Sequence, residues 1–111
     1  MSARVFVIGA GSWGGALAQA ASIAGNQVRL VGRNAQAMAT LNASHRLPDY
    51  LGDIALDSRL VGQTDFEGLA DADLVLLVVP AQASRPTLEA IGARTLAGKP
   101  VVLCAKGLEQ G

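Results

Sequence analysis

The 111-residue sequence predicts an α/β fold in which a parallel β-sheet lies between two layers of helices. Short apolar runs alternate along the chain with stretches of helical periodicity, and glycine or proline ends the runs abruptly. The longest apolar run, Leu74–Val79, has the length of a buried strand. Strands that alternate with helices require right-handed crossovers, which give a doubly wound sheet of one domain over residues 1–111.

The first strand and the first helix have clear boundaries. The apolar run over residues 4–9 predicts a buried strand that ends at Gly9. Residues 12–24 predict a helix that Gly25 and Asn26 end with a left-handed cap. Five apolar residues recur in that helix at intervals of three and four and predict its buried face: Trp13, Ala16, Leu17, Ala20 and Ala24.

The next elements are shorter. Gln27–Val31 predicts a second strand, and Asn34 is placed to cap a second helix over residues 35–43. Residues 44–58 contain Pro48 and scattered polar side chains, so they predict a loop with at most one helical turn.

The second half of the chain repeats the alternation. Five elements are predicted there: a short strand near Arg59–Val61, a short helix near 65–70, a strand over Asp73–Val79, a helix over 82–96 and a strand over Pro100–Ala105. Pro80 stops the second of these strands. Pro86 fits the helix only within its first turn, because proline has no backbone N–H.

Charge and composition exclude several classes of function. The formal net charge is zero, which argues against a nucleic-acid surface or a polybasic membrane patch. Residues 1–48 nevertheless carry four arginines and no acidic residue, so an anionic ligand is better received there. The single cysteine excludes an intrachain disulfide. No signal peptide or membrane span is predicted, and a cytoplasmic location without membrane insertion is expected.

The stretch VIGAGSWGGALAQA contains glycines at the spacing G-x-G-x-x-G. Gly9 allows a tight turn, Gly11 lets a pyrophosphate approach the backbone, and Gly14 lets the helix pack close to the strand. Because a strand precedes the motif and a helix follows it, the motif predicts a Rossmann-type dinucleotide site at the helix N-terminus.

The end of the second strand bears on the choice of cofactor. An NAD site usually has an acidic residue there to bind the ribose 2′-hydroxyl, whereas this chain has Arg33 and no acidic residue before Asp49. Arginine pairs with phosphate, so the residue favours NADP, with NAD as the alternative.

Four ordered stretches, GAGSWGGALA, LPDYLGDIAL, VVPAQASR and AKGLE, resemble the bacterial NAD(P)-dependent glycerol-3-phosphate dehydrogenases. The family reduces dihydroxyacetone phosphate to sn-glycerol 3-phosphate, a phospholipid precursor, usually with NADPH. The resemblance implies that Ser12 and Trp13 contact the cofactor and that Arg33 contacts its 2′-phosphate. It also implies that Lys106 contacts both cofactor and phosphorylated substrate, and a lysine that follows an apolar strand fits such a role.

The resemblance also sets limits. Family members have a helical C-terminal domain that carries the catalytic lysine and binds the substrate phosphate, and they are expected to form homodimers. That domain is absent from these 111 residues, so we predict no catalytic residue here and no turnover by this chain alone. The family often has threonine where this chain has Gly15. We expect the missing side chain either to loosen the first turn of the helix or to admit a bulkier neighbour.

Two other functions are compatible with the glycine motif. One is the cofactor domain of another small-carbonyl reductase, such as a ketopantoate reductase or a hydroxyacid dehydrogenase, although these lack the AKGLE stretch. The other is a stand-alone dinucleotide-binding module without a reaction of its own.

Some residues that invite a chemical role are better explained structurally. We expect His45 to be a solvated loop residue and Cys104 to be buried and inert. Asp71 and Asp73 are interpreted as loop or cap residues, since they have no metal-ligand spacing. No metal site is predicted.

Overall fold

A computed structural model describes residues 3–9, 11–79 and 81–104. Its strands are β1 Arg4–Ile8, β2 Gln27–Val31, β3 Val61–Gln63, β4 Leu74–Leu77 and β5 Val101–Leu103. Its helices are α1 Ser12–Ile23, α2 Ala35–Ser44, α3 Pro48–Leu51, α4 Ala81–Ile91 and α5 Ala93–Leu96, with a 3₁₀ turn at Leu69–Asp71. The predicted strand end at Pro80 and the predicted site at Lys106 lie outside the described residues.

All neighbouring strands are parallel, and their order across the sheet is β3-β2-β1-β4-β5. The chain runs outward from β1 to β3, and later outward in the other direction from β4 to β5. Right-handed crossovers therefore place the helices of the two halves on opposite faces. The predicted doubly wound, three-layer architecture is confirmed.

One half of the core lies between the sheet and α1, α2 and α3. It contains Val5 and Val7 of β1, with Met38, Leu41 and Leu47 from the helical layer. Gly62 of β3 belongs to this face, because an added Cβ would lie 2.9 Å from the Met38 sulfur. The edge strand is thereby drawn against α2.

The other half lies between the sheet, α4 and the 3₁₀ turn. Phe6 and Ile8 of β1 point to this side, where they pack with Leu69, Leu77 and Ile91. Since β1 is buried on both faces, its side chains are apolar at consecutive positions rather than at alternate ones.

The predicted buried face of α1 is wrong. Trp13 is 43% exposed, Ala16 and Ala20 are exposed, and Leu17 is only half-buried. The buried positions are Gly14, Gly15, Ala18 and Ser22. These residues are small, and their side chains allow the helix to approach the sheet more closely than tryptophan or leucine would.

Other boundaries differ from the predictions. The strand expected near Arg59–Val61 lies at Val61–Gln63, and the helix expected over 82–96 is two helices. Gly92 separates them with a φ of +96°, a backbone conformation that an α-helix does not contain. Pro86 lies in the second turn of α4 rather than in the first, so the carbonyl of Gln82 lacks its i+4 donor. No helix within the described residues is long and apolar enough to cross a membrane.

A polar cluster fastens the loop before β3 to the last turns of α1. The Arg59 guanidinium donates to the Asp57 carboxylate at 2.7 and 3.1 Å and to the Ser22 carbonyl at 3.1 Å. The Asp57 N–H donates to Gln19 Oε1 at 2.7 Å. The bonds from Arg59 hold the pKa of Asp57 far below its ordinary value of 3.8.

We predict that Asp57→Asn flattens the acid dependence of stability. The folded pKa lies below the unfolded one, so the ionised carboxylate stabilises the fold above about pH 4. That contribution disappears as the pH falls through the folded pKa, because the unfolded chain takes up the proton first. Thermal unfolding between pH 6 and pH 2 measures the difference, with Asp53→Asn on the same loop as the control. If the melting temperatures of wild type and Asp57→Asn fell equally between pH 6 and pH 2, the stabilising role of the Asp57 carboxylate would be contradicted.

Candidate functional site

The glycine turn lies between β1 and α1, at the point where the strand order reverses. The Gly9 N–H donates to the Val31 carbonyl of β2 at 2.8 Å, and the Val78 N–H donates to the Ile8 carbonyl at 2.7 Å. The turn is therefore held from both neighbouring strands. In open parallel sheets this crevice, beyond the carboxyl ends of the strands, is where ligands bind.

The three glycines of the motif serve three different purposes. Gly9 has a φ of +115°, and an added Cβ would lie 2.1 Å from the Val78 carbonyl oxygen. A Cβ on Gly14 would lie 1.7 Å from the Gly9 carbonyl oxygen. A Cβ on Gly11 would meet nothing within 4 Å. Gly9 and Gly14 are thus required by packing, whereas Gly11 borders open space where a ligand can approach the backbone.

The N-terminus of α1 faces this open space. Its N-cap, Gly11, has an extended backbone and provides no side-chain cap, and no acidic residue lies in the first turn. The first backbone N–H groups of a helix have no acceptor within the helix, and they carry partial positive charge. The residues present therefore fit a pyrophosphate.

The structure places Ser12 and Trp13 in the first turn of α1, as the glycine motif requires. The Ser12 hydroxyl donates to the Tyr50 carbonyl oxygen of α3 at 2.8 Å. Trp13 is 43% exposed, which makes its fluorescence sensitive to a molecule bound at the turn.

A cavity of about 410 Å³ adjoins the turn on the α4 side of the sheet. Gly9 and Arg33 stand at the ends of β1 and β2, and Phe66 lies in the segment after β3. Pro86 and Thr87 of α4 form the opposite wall. The lining is mainly apolar, which suits a flat heteroaromatic ring such as adenine.

Arg33 is exposed and borders this cavity. The preceding residue is fixed, because the Gly32 N–H donates to the Gln63 carbonyl at 3.0 Å. The following residue, Asn34, caps α2 by accepting from the Ala37 N–H at 3.0 Å. Among the described residues that line the cavity, Arg33 is the only charged one. A second phosphate would meet a guanidinium and no carboxylate there.

No sequence motif marks the far wall of the cavity. Thr64, Phe66, Pro86 and Thr87 come from segments that are distant in sequence and carry no motif. The only available signal was the rule that loops after parallel strands meet at one edge. That rule points to the residues after β3 and β4 without saying which of them face inward.

Residues set aside in the sequence have structural roles here, although two expectations were wrong. His45 is half-buried, has a φ of +60° and forms the C-cap of α2, so it is not a solvated loop residue. Cys104 is half-buried rather than buried, because β5 is an edge strand. The Asp73 carboxylate accepts from the Arg4 N–H at 2.9 Å, which confirms a capping role. Within the described ranges no cluster of side chains has the composition of a metal site.

The fold and the site together define a dinucleotide-binding domain of the Rossmann type. The family model described as "NAD-dependent glycerol-3-phosphate dehydrogenase N-terminus" matches residues 4–111, and the chain belongs to this family. The domain is the N-terminal, NAD-binding part of such proteins.

Two curated relatives support this. The glycerol-3-phosphate dehydrogenase (NAD(P)+) of Caulobacter vibrioides is 47% identical over 97% of this chain, and that of Parvibaculum lavamentivorans is 44% identical over 96%. The chain spans about a third of the length of either relative. The crystal structure of glycerol-3-phosphate dehydrogenase from Coxiella burnetii superposes with a TM-score of 0.82 at 24% identity. It covers 92% of this chain, which covers 32% of that structure, and the likeness shows the fold.

We predict that alanine destabilises the fold at one glycine of the motif and is tolerated at another. Gly14→Ala places a Cβ against the Gly9 carbonyl and lowers the free energy of unfolding by roughly 3 kcal/mol or more. Gly11→Ala leaves stability within about 0.5 kcal/mol, since the added methyl meets no protein atom. Urea unfolding followed by circular dichroism measures both. Equal stability of the two variants would disprove the packing role of Gly14.

Proposed function

We propose that this chain is the cofactor-binding part of an NADPH-dependent enzyme that reduces dihydroxyacetone phosphate to sn-glycerol 3-phosphate. The observation that carries the proposal is that an open helix N-terminus, an apolar cavity and an arginine lie together at one edge of the sheet. An open Gly11 lies over the N-terminus of α1, and a mainly apolar cavity beside it has Arg33 on its rim.

In this proposal each part of the cofactor has its own partner. The pyrophosphate lies over Gly11 and accepts from the backbone N–H groups of the first turn, which includes Ser12 and Trp13. Gly9 and Gly14 hold the turn in the required shape. The adenosine occupies the cavity between β2 and α4.

Arg33 selects NADPH over NADH in this proposal. Its guanidinium pairs with the ribose 2′-phosphate, and the N-terminus of α2 adds positive potential because no acidic residue lies in its first turn. The carboxylate that would bind a free 2′-hydroxyl is missing from the described lining. NADH remains the alternative cofactor, bound without this charge pair.

The chemistry is divided between this chain and the rest of the protein. The nicotinamide supplies the hydride when bound. In our proposal Lys106 contacts cofactor and substrate, and the general acid is a lysine of the helical domain outside these 111 residues. A cytoplasmic location and a homodimer of the full-length protein belong to the same proposal, and the single cysteine fits a reducing compartment.

We expect the purified chain to bind NADPH more tightly than NADH, with saturable quenching of Trp13 fluorescence. Arg33→Ala weakens NADPH binding at least tenfold, since a hydrogen bond to a charged group contributes about 1.5–3 kcal/mol. NADH binding changes little in this variant. Arg4→Ala is the control, because it also removes one positive charge but lies at the amino end of β1, away from the glycine turn.

Two results would contradict parts of this proposal. Equal affinity for both cofactors in wild type and Arg33→Ala would remove the role of Arg33 and retain the dinucleotide site. Absence of binding in a folded chain would reject the cofactor site itself.

We also expect no turnover by this chain alone. With NADPH and dihydroxyacetone phosphate, the absorbance at the nicotinamide band stays constant, because the proposed acid lies elsewhere. Steady oxidation of NADPH that depends on the substrate would place the catalytic group within residues 1–111.

A further inference from the structure

The Ser12 hydroxyl has a single proton, and the structure shows where it goes. Ser12 Oγ donates to the Tyr50 carbonyl at 2.8 Å, across 38 positions of sequence. A hydroxyl has one donor hydrogen, and phosphate oxygens need a donor. In this structure the Ser12 hydroxyl therefore donates to α3, and its backbone N–H is left for the ligand.

A second contact joins the same two helices one turn further along. A Cβ on Gly15 would lie 3.0 Å from Leu51 Cδ1 and 3.2 Å from Leu47 Cδ1. Glycine at this position leaves room for both leucine methyls on the first turn of α1. The sequence left open whether Gly15 loosens the helix or admits a bulkier neighbour, and the structure shows two leucines beside it.

The helix α3 is anchored to the core despite its four residues. The N–H groups of Tyr50 and Leu51 both donate to the Leu47 carbonyl, at 3.0 and 2.7 Å. Leu47 is fully buried in the core, and Pro48 starts the turn. A contact with α3 therefore connects the first turn of α1 to the core.

We propose that the Ser12 hydroxyl and Gly15 are positioning residues, which clamp α3 onto α1 and so fix the N–H groups that bind the cofactor pyrophosphate. This inference rests on the proposed function for the identity of the ligand. The first turn that the clamp holds begins with the bond from the Gly15 N–H to the Gly11 carbonyl at 2.8 Å. Preorganised donors bind more tightly than donors that must be ordered on binding.

The test compares NADPH with adenosine 2′-monophosphate. In the proposed function the nucleotide occupies the cavity and reaches Arg33, but it has no pyrophosphate. No described residue of 11–15 or 47–51 lines that cavity. Ser12→Ala keeps the backbone N–H and loses the clamp, and Gly15→Val displaces Leu47 and Leu51. We expect both variants to weaken NADPH binding about fivefold, the equivalent of one hydrogen bond, and to bind the nucleotide as wild type does.

Two further variants test for rescue. Ser12→Thr keeps a hydroxyl and restores NADPH affinity. Leu51→Ala added to Gly15→Val removes the closer of the two leucine contacts and restores part of the affinity. A purely structural role would instead lower the melting temperature and weaken both ligands together, which would overturn the inference.

Hydrogen exchange at the Leu51 and Gly52 amides provides a ligand-free measurement. Exchange is faster in Ser12→Ala and Gly15→Val if the clamp exists. If the hydroxyl binds phosphate instead, Ser12→Ala weakens NADPH binding, exchange is unchanged and Gly15→Val binds normally, which refutes the clamp. A wild type that binds neither NADPH nor the nucleotide rejects the proposed function, while the exchange rates still decide whether the clamp is present.

Discussion

The contact between Gly14 and the Gly9 carbonyl governs the arrangement of this domain. A Cβ at Gly14 would lie 1.7 Å from that oxygen, so strand and helix meet at a distance that only glycine allows. This approach fixes the rotation of α1. Gly15 then faces α3, Gln19 and Ser22 face the Asp57–Arg59 pair, and Trp13 stays at the surface. The same contact directs the helix N-terminus into the crevice.

Near this contact the site has two parts, one suited to an anion and one suited to an apolar group. Positive potential comes from the backbone at the start of α1 and from the Arg33 guanidinium, whereas the cavity beside them is mainly apolar. An anionic ligand with a flat apolar base meets both requirements, and a dinucleotide is such a ligand. Asp57 and Arg59 lie in the loop before β3 and bond to Gln19 and Ser22 in the last turns of α1, at the other end of that helix from the site. Mutation of Asp57 or Arg59 can therefore alter stability without altering the site.

The sequence predicted most strands, caps and turns correctly, but it did not predict which face of α1 is buried or where the helix after β4 breaks. Strands β1, β2, β4 and β5, the cap at Asn34 and the glycine turn follow from local patterns, because each depends on residues within a few positions. The buried face of α1 was predicted wrongly, since a count of apolar residues favours Trp13 and Leu17 over small ones. The break at Gly92 was missed because an isolated glycine within a helical pattern is usually tolerated.

The sequence by itself determined the fold class, the glycine turn between β1 and α1, the absence of an acidic residue before Asp49 and the resemblance to a dehydrogenase family. These features depend on order and spacing along the chain. Only the tertiary structure decided which residues form the far wall of the cavity, where the Ser12 hydroxyl donates and why glycine is suited to position 15. Each of those depends on segments tens of residues apart, and their separation is set by the packing of helices on a twisted sheet, which no local pattern encodes.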